Sequence, residues 1–404
     1  MVLLRKTFKE AHMESLKARV EELMDETVQI RRQIHRNPEL GMKEHKTTAL
    51  ILKKLGEYGV EIEDWGLKTG VSAIIRGGRP GRTVGLRADI DALPMTETSG
   101  LPFASEIPGV CHSCGHDMHT AYLLLVARIL QENKKDLAGN VRLLFQPAEE
   151  LGSGAKYMVK KGAFTVEPHM DELIGIHVAT ELPAGHIGLI KGPASAGCDT
   201  IEITVYGRGG HGAHPSRCID PIVAAAYLIA QLQTIVSRET SPFEPAVLTF
   251  GKIVGGTASN VIPESVTFSG TLRTFSHESR SRIKEAIRRT CEFHCKSMRT
   301  TADVVIEDGI PPLLHDSAIV DKLAEAAGET IGEENIIWLP QPNSSSDDFS
   351  VYLEKCPGVR YRVGTRTDDP ATAAGAHNPG VVFDESALRT AALVTCQYIR
   401  NVLK

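Results

Sequence analysis

The sequence predicts an α/β protein built on a mixed or largely parallel sheet, interrupted by a second unit of ferredoxin-like βαββαβ order. Three observations lead there. The chain has 404 residues, more than the roughly 250–300 that one core usually carries. Helical and strand patterns alternate through its first part, as in layered α/β proteins. After residue 192 the pattern changes to strictly alternating strands and two helices, the order of a split βαβ unit.

The elements follow in turn. Apolar residues Leu16, Val20, Leu23, Met24, Val28 and Ile30 lie near helical spacing, which predicts a helix over about 15–36 that Asn37-Pro38 stops. A second helix is expected over 43–58, strands over 71–76 and 83–88, a helix over 116–133, and strands over 141–146 and near 173–178. In the interrupting unit, Ile201, Ile203 and Val205 alternate along a strand over 199–206. A helix over 220–238, strands over 246–254 and 265–274, a helix over 278–296 and a strand over 302–307 complete the set. The α/β pattern resumes after Pro311 and ends on a helix over about 385–402. The expected boundaries are 1–191, 192–308 and 309–404, the middle segment being a domain inserted into the first.

Composition narrows the function classes. An apolar fraction of 42% and a charged fraction of 24% match ordinary globular averages. A formal charge of −5 offers no global attraction to phosphate backbones, so nucleic acid is not an expected partner. No apolar run approaches a membrane span, and the start of the chain turns polar too soon for a secretion signal; a cytoplasmic location is the expectation. Eight cysteines spread over a large chain do not require a disulfide framework.

The densest chemical cluster is Cys111-His112-Ser113-Cys114-Gly115-His116-Asp117-Met118-His119, in a loop just before a helix. An incidental polar loop fits poorly with so many donors in so short a span. A thioredoxin-like Cys-x-x-Cys leaves the histidines without a task, and a haem signature fails because Gly115 stands where His is required. Metal binding is the strongest reading, since a Cys114 thiolate and a His116 imidazole suit a borderline-soft ion such as Zn²⁺.

Further donors must come from elsewhere. Glu149 and Glu150 follow a strand in Gln146-Pro147-Ala148-Glu149-Glu150. Adjacent carboxylates point in different directions, so one can bind an ion while its neighbour handles protons, although a solvated acidic pair is common at strand ends. His177 lies in an apolar strand, where a lone histidine is more often a core residue than a ligand. His377 sits in a Gly/Ala/Thr-rich loop. The Gly207–Gly212 stretch fits Gly-x-Gly-x-x-Gly, but the next helix starts only at Asp220-Pro221 and the strand before it alternates, which rejects a dinucleotide site. No Gly-x-Ser-x-Gly elbow or Walker loop occurs.

As a set, in this order, Leu86-Arg87-Ala88-Asp89-Ile90-Asp91-Ala92-Leu93-Pro94, Cys114-Gly115-His116-Asp117-Met118-His119-Thr120, Gln146-Pro147-Ala148-Glu149-Glu150, Gly209-Gly210-His211-Gly212-Ala213-His214-Pro215 and Asn260-Val261-Ile262-Pro263 resemble the aminoacylase, hippurate hydrolase and indole-acetyl-amino-acid hydrolase branch of the dinuclear zinc exopeptidases. The resemblance runs from about residue 25 to the C-terminus. It implies a zinc-exopeptidase-like catalytic domain with an inserted lid and dimerisation domain, and two divalent metal ions per subunit, with Zn, Mn, Co and Ni the candidates. By the same resemblance, Cys114, His116, Glu150, His177 and His377 fall on metal-ligand positions, Glu149 on the general base, and Asp89 on an acid supporting the metal centre. His211 and Asn260 match groups that meet the scissile carbonyl, and Arg273 matches a clamp for the substrate carboxylate; Arg273 can equally be a sheet-surface arginine. One departure is that Arg87-Ala88-Asp89 stands where the broader family has His-x-Asp. The activity implied is metal-dependent hydrolysis of N-acyl-L-amino acids by a homodimer, with a higher homo-oligomer as the alternative assembly. A metallo-dipeptidase or carboxypeptidase is the nearer alternative, and a metal-binding protein without catalysis the more distant one.

Overall fold

The computed structural model describes the backbone of residues 2–404 and the side chains from Met13 onward; the reading of residues 1–6 as unlike a secretion signal falls outside the described side chains. The chain divides into two compact units. One comprises Met1–Gly192, His315–Gln341 and Val351–Lys404, the other Pro193–Leu314 with Pro342–Ser350.

The first unit is organised on an eight-stranded sheet. Its order is Glu61–Glu63, Val71–Arg76, Ala138–Gln146, Arg79–Asp89, Glu172–Pro183, Gly358–Arg366, Ile187–Leu189 and Ile336–Trp338. Ala138–Gln146, Arg79–Asp89, Glu172–Pro183 and Gly358–Arg366 run parallel in the middle, and Glu61–Glu63 and Val71–Arg76 add antiparallel at one side. Strands inside the sheet are covered on both faces: all but the last residue of Val71–Arg76 is buried, as are the last seven residues of Arg79–Asp89. Leu86, Ile174, Val359 and Val363 share one core with Met118, Leu125, Val320, Leu388 and Ile399 of the helices. The first helix, Val2–Arg36, begins well before residue 15. Apolar spacing marks only its packed portion, where Leu16, Val20, Leu23, Ile30 and Ile34 are buried. Among the described residues no helix is long and apolar enough to cross a membrane.

The second unit carries the βαββαβ order. Strands Gly197–Tyr206, Ala246–Gly255, Ser265–Thr274 and Thr301–Ile310 form an antiparallel sheet in the order Ala246–Gly255, Ser265–Thr274, Gly197–Tyr206, Thr301–Ile310. Strict alternation in Gly197–Tyr206 turns Ile201, Ile203 and Val205 into a core shared with Leu228, Leu232, Ile283 and Ile287 of helices Pro221–Thr234 and His277–Ser297. Asp220 caps the first of these helices by accepting from Ile222 and Val223 N–H, with Pro221 in the first turn. That start lies beyond the glycine run, which is why the loop 207–212 does not open a helix. The units depart from the expected bounds 192–308 and 309–404: the second unit runs on to Leu314 and also takes in Pro342–Ser350. Backbone bonds hold it there, from Asn343 N–H to Ala194 O at 2.9 Å and from Ala196 N–H to Asn343 O at 3.0 Å; a single short pairing of this kind leaves no periodicity to read.

Candidate metal centre

The donors of the first unit gather beyond the carboxyl ends of its parallel strands, where open α/β sheets place their ligands. Arg79–Asp89 ends on Asp89, Ala138–Gln146 leads into Glu149 and Glu150, and His177 lies within Glu172–Pro183. Cys114 and His116 come together through Gly115, which precedes helix His116–Glu132 with φ +85°. A Cβ there would overlap Val178 Cγ2, so both the backbone conformation and the close approach demand glycine.

Cys114, His116 and His177 form one group of potential ligand atoms lying within 4.8 Å of one another, and Cys114, Glu150 and His377 form another. Cys114 belongs to both. His116 also groups with Glu149 and Glu150, its Nε2 lying 3.9 Å from Glu149 Oε2 and 3.8 Å from Glu150 Oε1. Cys114 Sγ is 3.6 Å from His177 Nε2, and His377 Nε2 is 3.4 Å from Glu150 Oε1. His377, at φ +63°, is tied to the cysteine loop by its amide, which donates to Ser113 O at 2.8 Å.

Hydrogen bonds set which ring nitrogen faces the cluster. His177 Nδ1–H donates to Val178 O at 2.7 Å and His116 Nδ1–H to Asp91 O at 2.9 Å, which turns both Nε2 atoms toward the other donors. His119 is different although it belongs to the same motif. Its Nδ1–H meets Asp89 Oδ1 at 2.5 Å and its Nε2 accepts from Val178 N–H at 3.0 Å, so neither nitrogen is left for an ion. Asp89 is also paired with Arg87 and lies 3.6 Å from His116 Nε2 through Oδ2. The carboxylate on His116 Nδ1 is Asp91, at 3.2 Å, and its other oxygen accepts from Glu150 N–H at 3.0 Å. No role is expected of Asp91 from the sequence alone; its position two residues after Asp89, in the same stretch, is the available signal.

The residues fit a cation. His116 Nε2 and Glu150 Oε1 are buried without a hydrogen-bond partner, an arrangement that costs about 1–3 kcal/mol per group when nothing compensates it. Burial pushes the Cys114 thiol well above its ordinary range, and thiolate formation there requires positive charge, which a coordinated ion supplies outright. Glu150 is held below the ordinary carboxyl range despite burial, through His377 and His116. Burial, with Arg360 nearby, keeps His177 neutral, well below its usual pKa, the form in which imidazole ligates. Thiolate, imidazole and carboxylate together suit Zn²⁺ and neighbouring first-row ions.

The remaining expected residues lie in the second unit. His211 and Asn260 are brought together there: His211 pairs with Val261 in a short antiparallel ladder, and Gly212 N–H donates to Asn260 O at 2.8 Å. His211 Nδ1 accepts from Ala213 N–H at 3.1 Å, which places the proton of the neutral ring on Nε2. Arg273, on Ser265–Thr274, donates to Ser344 O and Ser346 Oγ, each at 3.3 Å.

Known proteins share this chain's sequence and fold. An N-acetyl-L-cysteine deacetylase of Bacillus subtilis is 40% identical over 381 residues, 94% of this chain and 89% of that protein. Thermostable carboxypeptidase 2 of Saccharolobus solfataricus is 37% identical over 385 residues, 94% of this chain and 96% of that protein. The crystal structure of the Bacillus subtilis YXEP protein, described as a dinuclear metal binding peptidase from the M20 family, has a TM-score of 0.82 at 33% identity, covering 95% of this chain and 99% of that one. Residues 85–401 match Peptidase family M20/M25/M40, and with the donor cluster and these full-length likenesses in place, the chain belongs to that family.

Proposed function

We propose that the protein is a metal-dependent amidohydrolase that cleaves the amide bond of N-acyl-L-amino acids, giving a carboxylic acid and a free amino acid. The observation that carries this reading is the pair of donor groups sharing Cys114, with Glu149 beside them and its side chain only 10% exposed. Cys114, His116, Glu150, His177 and His377 would hold two divalent ions, with Zn²⁺, Mn²⁺, Co²⁺ and Ni²⁺ the candidates. Held by these residues, divalent ions would supply Lewis-acid polarisation of a carbonyl and a lowered pKa for water near neutral pH.

The protein's own residues do the rest. Glu149 takes the proton from the attacking water and delivers it to the departing amine. His211, donating through Nε2, and Asn260 stabilise the developing oxyanion. Arg273 holds the α-carboxylate in a charge-assisted contact; its two acceptors, Ser344 O and Ser346 Oγ, are both neutral, which favours this role over that of a sheet-surface arginine paired with an acid. His211 and Asn260 would belong to a lid.

The carboxypeptidase likeness favours a second reading that differs only in the acyl group, because a peptide is chemically an N-acyl amino acid at its last bond. A homodimer is part of the proposal. The edge strand Ala246–Gly255 exposes Val247, Ile253 and Val254, and helix Pro221–Thr234 exposes Ile222, Val223 and Tyr227; an open apolar edge of this kind invites pairing with another copy.

The test is release of free amino acid from N-acetyl and N-benzoyl amino acids and matching dipeptides, using protein chelated and refilled with Zn²⁺ or Mn²⁺. Metal-dependent cleavage of the acyl compounds is expected. Cleavage of dipeptides alone would move the assignment to a peptidase, and no cleavage with both metals bound would defeat it.

A further inference from the structure

Two buried carboxylates act on the turn that carries Glu149 and Glu150, and one of them, Glu44, has no task in that reaction. Glu44, fully buried just before helix His45–Tyr58, accepts from Ala148 N–H at 2.8 Å. Asp91, 1% exposed, accepts from Glu150 N–H at 3.0 Å through one oxygen and faces His116 Nδ1 at 3.2 Å through the other. The two amides flank Glu149.

The turn needs holding. Strand Ala138–Gln146 ends two residues earlier, and Ala148 has φ +54°, a region that a residue with a side chain keeps only when its surroundings impose it. Those surroundings are tight. Gly154 N–H donates to Ala148 O at 3.0 Å, a Cβ on Gly154 would overlap Pro147 O, and one on Gly41 would stand 3.1 Å from Ala148 Cα. Burial raises the Glu44 carboxyl above its ordinary range, and either protonation state leaves it an oxygen that can accept the amide.

We propose that Glu44 is a positioning residue: together with the Asp91 contacts already described, which hold His116 and Glu150, it makes a two-point clamp on residues 148–150 that sets the direction of the Glu149 carboxylate. The kinetic part rests on the amidohydrolase reading; the metal-binding part does not.

The experiment compares Glu44→Ala, Glu44→Gln and Asp91→Asn with the wild type, reading kcat and KM on an N-acyl amino acid and Zn²⁺ affinity by calorimetry after chelation. A misplacement of about 1 Å can cost about 100-fold in rate. Glu44→Ala should therefore lose about 100-fold in kcat, with KM within about threefold and two metals still bound. Glu44→Gln, whose amide oxygen can still accept, should stay within about fivefold of wild type. Asp91→Asn presents an NH₂ to one of two donors and should bind Zn²⁺ about 10–100-fold more weakly. A wild-type kcat for Glu44→Ala, equal losses in the Gln and Ala variants, or Zn²⁺ affinity within twofold for Asp91→Asn would overturn the clamp. If Glu44→Ala does not fold, the Gln and Asp91→Asn variants decide. If the wild type cleaves no substrate in the panel, the Zn²⁺ affinities still decide the clamp while the activity reading fails separately.

Discussion

At the scale of single residues, the two glutamates after Ala148 differ by what they touch. Glu150 lies 3.4 Å from His377 and 3.8 Å from His116 through an oxygen that lacks any hydrogen bond, the situation of a ligand, whereas Glu149 approaches His116 at 3.9 Å and is not grouped with His377. Glu149→Gln should lower kcat by about 10²–10⁴-fold, the usual contribution of a general base, while calorimetry still finds two metals; wild-type turnover would remove Glu149 from the reaction. His112 supplies a prediction of another kind. Both its ring nitrogens are buried without partners, and burial pushes its pKa down to about 3. Between that value and the ordinary histidine range the unfolded chain takes up a proton that the folded chain refuses. Stability contributed by neutral His112 is thus complete above about pH 6.5 and lost as pH falls toward 3, at up to about 1.4 kcal/mol per pH unit. His112→Phe should flatten the dependence of Tm on pH between about 6.5 and 4 in chelated protein; an unchanged slope would place the effect elsewhere. His35 acts in the opposite window. Burial opposes its charge, but Asp117 and Glu97 raise its pKa, so its contribution is complete below about pH 6.5 and is lost as pH rises from there through the raised value.

At the scale of elements, Gly115 joins a loop to a helix where Cys114 and His116 must both face one point. Its φ of +85° and the overlap that any Cβ would make with Val178 mean that Gly115→Ala has to move the helix start or the Glu172–Pro183 strand. The expected result is a loss of about 1–3 kcal/mol in unfolding free energy together with weakened metal binding, read by denaturant titration and calorimetry on the same sample. Metal affinity unchanged alongside lowered stability would mean that the strand, and not the ligands, absorbs the shift. Element patterns were well written in the sequence wherever burial is regular. The alternation of Ile201, Ile203 and Val205 marks a strand, and the β-rich runs at 71–76 and 83–88 mark two more. Short pieces such as Glu61–Glu63, Ile187–Leu189 and Ile336–Trp338 were not foreseen, because three residues carry no period and owe their conformation to the neighbouring strand.

At the scale of the whole molecule, the exposed Val247, Ile253 and Val254 on an edge strand argue for association. Ile253→Lys with Val254→Lys should convert a dimer to a monomer in light scattering while leaving the unit folded by circular dichroism, since neither residue belongs to the buried core of that unit. A wild-type protein that is monomeric at micromolar concentration would refute the dimer. The sequence by itself determined the layered α/β class, the βαββαβ order and the family, because periodicity and motif order are local and survive without knowledge of contacts. It also supplied the residue types of a metal site. Tertiary structure alone decided how those donors are used: His119 is consumed by Asp89 and the Val178 amide, His116 is oriented by Asp91, and the turn before Glu149 is held by Glu44 from over a hundred positions away. Whether a buried nitrogen or oxygen keeps a lone pair for an ion depends on what the rest of the chain brings against it, and that information is in no single stretch of residues.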